Sequence, residues 1–420
     1  MSPTRRQFLA GSGAFMGAAA LGLNGQALAQ ALREQGHPPT LVTIYLRGGA
    51  DPLSTIIPAA DPEYHRIRPT IGVPARSDND QNPGVIPITD HFGLHPAMGP
   101  LHGLYEQDKM AGIVCTGSTH PTRSHFDAQD FMESGTPGIK STRDGWMNRY
   151  LRAVYRHDPS HFRAVALSGQ LPRSLSGPAP ALAIPELTKF GFPGGRQSRR
   201  VQSVLEALYA GSDDALLEPT AEDTFEAVEA LERLDLERLK PEHGATYPRG
   251  GFGGSLRQIA QLIKAGVGLE LAFTELGGWD THVNQGRERG PLANLLRPFS
   301  AAVGAFCRDL GPRMEDVVLV TLSEFGRTAF ENGNGGTDHG HANAMFLVGG
   351  GIQGGFHGDW PGLGKPQLYE GRDLALTSDF RTVLGEVLTR HLGAPDLASV
   401  FPGFDLSPDQ HRGLFGKTGT

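Results

Sequence analysis

Six short apolar runs, rich in β-branched residues, constrain this chain more than any other feature. They are Leu41–Leu46, Gly112–Thr116, Ala164–Leu167, Leu269–Thr274, Val317–Leu322 and Ala344–Val348, and each reads as a buried strand. Helical patterns lie between them at Ser255–Ala265, Leu292–Leu310 and Asp379–Leu392. Strands that alternate with helices predict a mainly parallel sheet with helices on both faces. Around residues 197–245 the pattern changes. Phe225, Val228, Leu231 and Leu234 recur at spacings of three with Glu and Arg between them, which predicts an amphipathic helix in an inserted helical segment. The tail after Gly393 is rich in Pro and Gly and is expected to wrap the surface.

The amino terminus follows a different logic. Arg5 and Arg6 precede a Gly/Ala-rich apolar stretch from Phe8 to Leu23, and Ala27-Leu28-Ala29 follows as a small-x-small cleavage site. A basic segment, a mildly apolar core and that site, in order, predict a twin-arginine signal peptide over residues 1–29, read by the Tat translocase and cut after Ala29. An uncleaved anchor fits less well, because a spanning helix needs about 20 apolar residues and this stretch is shorter and rich in glycine. The expected location is the periplasm or the extracellular space, with no transmembrane segment left after cleavage. Residues 30–420 are then one large domain with a helical insertion. Cargo of this route folds before it crosses, which suits a metal loaded in the cytoplasm.

A net charge of −7 leaves no basic stripe for nucleic acid. Cys115 and Cys307 are the only cysteines, so neither a disulfide framework nor a thiolate metal site can form. They either make one bridge or stay buried and reduced; Cys115 inside an apolar strand favours the second.

In open α/β sheets ligands bind at the carboxyl ends of the strands. Here four strand ends run directly into chemistry-bearing groups: Arg47-Gly48-Gly49-Ala50-Asp51, Ser118 to His125, Gly278-Trp279-Asp280-Thr281-His282, and Ser323-Glu324-Phe325-Gly326-Arg327. A fifth cluster, Asp338-His339-Gly340-His341, precedes the last strand in a glycine-rich loop. Carboxylates and imidazoles without thiolates suit Zn²⁺, Mn²⁺ or Ca²⁺, as one ion or two. Asp280 and His282 stand two apart in an extended loop and can face one side. Asp51 also reads as a turn residue or helix cap, Glu324 as a salt-bridge partner of Arg327, and His95, His102, His120 and His125 as structural. Ser124 precedes a helical pattern, so it reads equally as a helix cap or as a hydroxyl nucleophile at a helix N-terminus.

At these residues the chain closely resembles exported bacterial proteins of the domain-of-unknown-function 1501 family. The motifs that carry the likeness are Leu46-Arg47-Gly48-Gly49-Ala50-Asp51, His120-Pro121-Thr122-Arg123-Ser124-His125-Phe126, Gly278-Trp279-Asp280-Thr281-His282, Ser323-Glu324-Phe325-Gly326-Arg327-Thr328 and Gly349-Gly350-Gly351-Ile352. That family is placed in the alkaline phosphatase-like superfamily with sulfatases and phosphodiesterases. The resemblance implies a doubly wound α/β/α sandwich. It further implies Asp51 as a metal carboxylate, Asp280 and His282 as ligands of one site, Glu324 as the carboxylate of another, and His339 or His341, beside Asp338, as the closing histidine. Ser124 takes the nucleophile position. Active superfamily members show Asp-His-Gly where this chain has Glu324-Phe325-Gly326, which implies one imidazole fewer.

Two functions follow as expectations. One is a metal-dependent hydrolase of a small phosphate or sulfate ester, with a metal-activated Ser124 and with Arg123 or Arg47 holding an anionic oxygen. The other is a non-catalytic binding or assembly protein that keeps the fold and acts with another exported protein.

Overall fold

The computed structural model describes residues 38–76, 83–154, 156, 159–190, 226, 228–231, 234, 236, 238–406 and 410–415. The signal peptide expected over residues 1–29, with Arg5, Arg6, Ala27 and Ala29, lies outside these, as does most of the insertion expected around 197–245. Of the amphipathic pattern, Val228 and Leu231 are described and buried, on the apolar side that the spacing assigns them.

The apolar runs form the middle of a nine-stranded sheet. Its strands are β1 (Thr40–Leu46), β2 (Met110–Gly117), β3 (Ala164–Ala166), β4 (Leu182–Ala183), β5 (Leu271–Leu276), β6 (Val317–Leu322), β7 (Asn343–Gly349), β8 (Gly355–His357) and β9 (Ser378–Asp379). The order is β8-β2-β7-β6-β1-β5-β3-β4, with β9 paired to β2. Every pairing is parallel except those of β7, which runs against both β2 and β6. The short strands β4, β8 and β9 carry too little periodicity to stand out in the sequence.

Alternation along β1 divides its side chains between two cores. Val42, Ile44 and Leu46 join one, packed under α1 (Gly99–Tyr105), α4 (Gly251–Ala265) and α5 (Pro291–Leu310). Leu41 and Tyr45 join the other, packed under α2 (His125–Ser134), α3 (Trp146–Ala153) and α6 (Phe380–Arg390). The result is a three-layer α/β/α fold with a mostly parallel central sheet. The tail does more than wrap the surface: Val400, Phe401 and Leu414 are fully buried in the second core.

Strand direction decides where the site lies. The carboxyl ends of β1, β2, β5 and β6 share one edge of the sheet, and because β7 is reversed, the loop that enters it reaches the same edge. All five chemistry-bearing segments therefore meet there. Both cysteines are buried and free. No helix among the described residues is long and apolar enough to cross a membrane.

Candidate metal centre

The loop after β5 supplies the focus. Asp280 Oδ1 lies 3.0 Å from His282 Nε2 and 3.1 Å from His339 Nε2, and the two imidazole nitrogens are 3.0 Å apart. Asp280 Oδ2 faces His125 Nε2 at 3.4 Å. The His125 and His339 rings meet edge to face, 4.4 Å between centroids.

The hydrogen bonds on the far side of each ring assign its tautomer. His339 Nδ1 faces the Arg123 carbonyl at 2.8 Å, His282 Nδ1 faces Asp338 Oδ1 at 3.3 Å, and His125 Nδ1 faces Glu324 Oε1 at 2.8 Å. Each partner can only accept, so in the neutral rings each Nδ1 carries the hydrogen and each Nε2 presents a lone pair. Three lone pairs thus face the Asp280 carboxylate, His282 and His339 at one oxygen and His125 at the other, where acceptors repel one another unless a proton or a metal cation sits between them. His125 Nε2 is buried with no hydrogen-bond partner. Imidazoles backed by carboxylates or carbonyls are the usual dress of metal-binding histidines. A tetrahedral ion with bonds near 2.0–2.1 Å sets its ligands about 3.3 Å apart, close to the spacing of the tightest three atoms.

The electrostatics follow from the same contacts. Burial works against the Glu324 carboxylate, but hydrogen bonds from His125, Gln129 and the Gly48 amide hold its pKa below the ordinary value. The same Glu324 contact, reinforced by Asp280, raises His125. Burial lowers His339, with the neighbouring His125 adding to the effect. Asp280 is also partly desolvated, yet the Arg327 guanidinium keeps it ionised below the usual range.

Arg327 organises the loops. Fully buried, it donates to the Gly49 carbonyl (2.7 Å), the Gly48 carbonyl (3.0 Å), the Trp279 carbonyl (2.9 Å) and Asp280 Oδ1 (2.6 Å). It thereby ties the segment after β6 to those after β1 and β5. Beside it the Gly340 amide donates to the Gly326 carbonyl and the Gly326 amide to the His341 carbonyl, and a Cβ on Gly340 would come within 2.3 Å of the Arg327 backbone. Gly48, at φ +123°, lets its amide reach Glu324 Oε1 at 2.9 Å; a Cβ there would strike the Asp280 nitrogen.

Several expected ligands stand elsewhere. Asp51 is fully buried and caps the short helix Pro52–Thr55, while its oxygens accept from Arg68 (2.6 and 3.0 Å), Ser54 (2.7 Å) and Gln285 (2.7 Å). No lone pair is left for an ion, which corrects its reading as a metal carboxylate. Glu324 supports His125 instead of facing a second ion, and its neighbour Arg327 pairs with Asp280, not with it. Asp338 supports His282. His341 stacks on Tyr369 at 4.5 Å and leaves the closing position to His339. Arg123 is held by Asp373 (2.6 Å) and Glu370 (2.7 Å), and Arg47 by Glu133 (2.9 Å) and Glu275 (2.5 Å), so neither guanidinium is free to grip an anion.

His125, read as structural from sequence, joins the centre; its position one residue after Ser124 at a strand end was the available signal. Phe325 packs its ring 4.8 Å from both His125 and His339. Ser124 is exposed at the N-cap of α2, and its hydroxyl makes no capping hydrogen bond. Among the described residues, His125, Asp280 and His339 are the group of three potential ligands whose donor atoms all lie within 4.8 Å of one another; His282 stands outside that group, against Asp280 and His339 alone of its members.

Among curated proteins none matches the chain. Solved structures resemble it distantly. The C-terminal periplasmic domain of EcEptC from Escherichia coli, in complex with Zn, is 10% identical over 74% of this chain and 73% of that one, with a TM-score of 0.34. The PsFucS1 sulfatase from Pseudoalteromonas sp. is 11% identical over 89% and 72%, at 0.38. A protein in the alkaline phosphatase superfamily from Vibrio parahaemolyticus is 10% identical over 76% and 62%, at 0.34. One family model spans most of the sequence, residues 39–400, and the chain therefore belongs to the family described as protein of unknown function (DUF1501).

Proposed function

We propose that this protein is an exported hydrolase of anionic phosphate or sulfate esters that binds one divalent ion, zinc before manganese or calcium, at His125, Asp280, His282 and His339. The observation that carries the reading is the convergence of three imidazole lone pairs on the Asp280 carboxylate. A nitrogen-rich set suits zinc, whereas calcium and magnesium prefer all-oxygen cages. When bound, such an ion polarises an ester oxygen and acidifies a nearby hydroxyl.

The chain's own residues do the rest. Ser124 lies between Arg123, whose carbonyl holds His339, and His125. Its hydroxyl is unspent on capping and stands as the nucleophile. The Ser124 oxygen bonds to phosphorus or sulfur while the ester alcohol leaves with a proton, and water then cleaves the seryl ester. With Arg47 and Arg123 engaged, the free amides at the start of α2 supply the donors for the anionic oxygens. Arg5, Arg6, Ala27 and Ala29 direct the folded protein through the Tat translocase to the periplasm or beyond.

A non-catalytic assembly role beside another exported protein is the second reading. Phe325 favours it, because its apolar ring packs beside both His125 and His339 and offers no ligand atom. The test is turnover of aryl phosphates, phosphodiesters and sulfates by zinc-loaded protein of measured metal content. Ser124→Ala is expected to abolish turnover with zinc stoichiometry and melting temperature unchanged. Native protein that holds zinc and hydrolyses none of these refutes the hydrolase and leaves the assembly role.

A further inference from the structure

A cavity of about 560 Å³ lies between α1, the C-terminal end of α5, the turn Gly311–Asp316 and the end of β7. Because β7 is reversed, it enters at the edge that carries the metal centre and ends, at Gly349, on the opposite edge. Lys109 stands just before β2 on that opposite edge. The seven residues of β7 span about 20 Å, so the cavity is separate from the centre. Its wall is apolar in part, with Leu104, Met314 and Val348. The charged or chargeable side chains at its surface, the Cys307 thiol aside, are Lys109, Arg308 and His243, all exposed, and no Asp or Glu lines it. In a chain of net charge −7 that one-sided lining runs against composition. Arg47, Arg123 and Arg327 each hold a carboxylate at 2.9 Å or less, whereas neither Lys109 nor Arg308 forms an ion pair among the described residues. Glu242, next to His243 in the chain, is engaged by Arg313 at 3.0 Å.

We infer that this cavity binds a small amphiphilic anion, its alkyl or aryl body against the apolar wall and its carboxylate or phosphate head held by Lys109 and Arg308. A concave, partly apolar space of this size with a few polar groups on its surface is the usual form of a small-molecule site. The Arg308 guanidinium offers a planar fork that matches either acid, and Lys109 adds a point charge. The site is independent of zinc and of the ester chemistry proposed above.

Calorimetry on the full chain with octanoate, octylphosphonate, acetate and octylammonium tests this. Octanoate or octylphosphonate should bind, and the one that binds more tightly tells which head the cavity takes. Octanoate should exceed acetate by at least about tenfold if the carboxylate is preferred, and octylammonium should not bind. Lys109→Ala and Arg308→Ala should each weaken the preferred anion about tenfold or more, with melting temperature and zinc content near native. Gly103 lines the cavity on α1, and a Cβ added there meets nothing within 4 Å, so Gly103→Leu should narrow the space and weaken binding without disturbing the fold. Failure of both anions to bind overturns the site, as does octylammonium bound as tightly as they are. Anion affinity that survives both cation variants and disappears with Asp280→Ala belongs to the metal centre and overturns the assignment to this cavity.

Discussion

Replacing Glu324 by Gln changes the charge behind His125 and little else. Glu324 is 1% exposed, and its Oε1 accepts from the Gly48 amide (2.9 Å), His125 Nδ1 (2.8 Å) and Gln129 Nε2 (2.9 Å). A glutamine oxygen can take those three donors, and its NH₂ then meets Ser323 Oγ, which lies 3.2 Å from Oε2. Shape and pairing survive, so the fold should too. The charge-assisted bond to His125 becomes a neutral one of about half the strength. Loss of such a supporting partner typically costs 10–100-fold in metal affinity, about 1.4–2.7 kcal/mol. The consequence for stability can be worked out. With free zinc at about 100 times the native Kd, binding stabilises the native protein by about 2.7 kcal/mol; a 10–100-fold weaker variant keeps only about 1.4–0.4 kcal/mol. Most of the zinc-dependent rise in melting temperature should therefore vanish, while the metal-free melting temperature stays near native. Zinc affinity is measured by competition with a chromophoric chelator. A Glu324→Gln protein with native zinc affinity refutes the placement of Glu324 behind a metal-binding His125.

Asp51→Ala should cost about 3–5 kcal/mol, because it strands the fully buried Arg68 guanidinium, yet zinc content should not change; loss of zinc from the folded variant would restore Asp51 as a ligand. Burial pushes the Asp51 carboxyl up, but the Arg68 charge with hydrogen bonds from Arg68, Ser54 and Gln285 holds it below its ordinary value of 3.8. Its contribution is therefore complete above that value and lost as pH falls through the lower folded one, so an Asp51→Asn denaturation midpoint should decline less steeply in acid than the native one; an equal decline refutes the linkage. Burial raises both Cys115 and Cys307 to about 12, so a thiol reagent near pH 8 should label neither before unfolding, and fast labelling of folded protein contradicts their burial. Exchange of Arg5 and Arg6 together for Lys should strand the precursor in the cytoplasm, and undisturbed export would sink the Tat assignment.

The strand and helix pattern was legible because periodicity is a local property. Val317–Leu322 carries its own signal in β-branched apolar residues, and the residues after it had to fall at a strand end. The same reasoning brought Asp280, His282, Ser124 and the 338–341 loop to one edge of the sheet. It could not sort ligands from supports, because that depends on distances between loops far apart in the chain. Asp51 and His125 show the limit. Each follows a strand, but Asp51 turns inward to a buried Arg68, while His125 is swung onto Asp280 by a carboxylate 199 positions away. Arg327 looked like a local partner of Glu324, yet its guanidinium reaches across to the carbonyls behind β1 and β5. Residue types and their order along the chain thus determined the layers, the working edge and the stock of donor groups. The packing of reversed β7 beside β6, and the loops laced together by one buried arginine, decided which lone pairs meet, since side chains distant in sequence acquire a common point only once the tertiary fold exists.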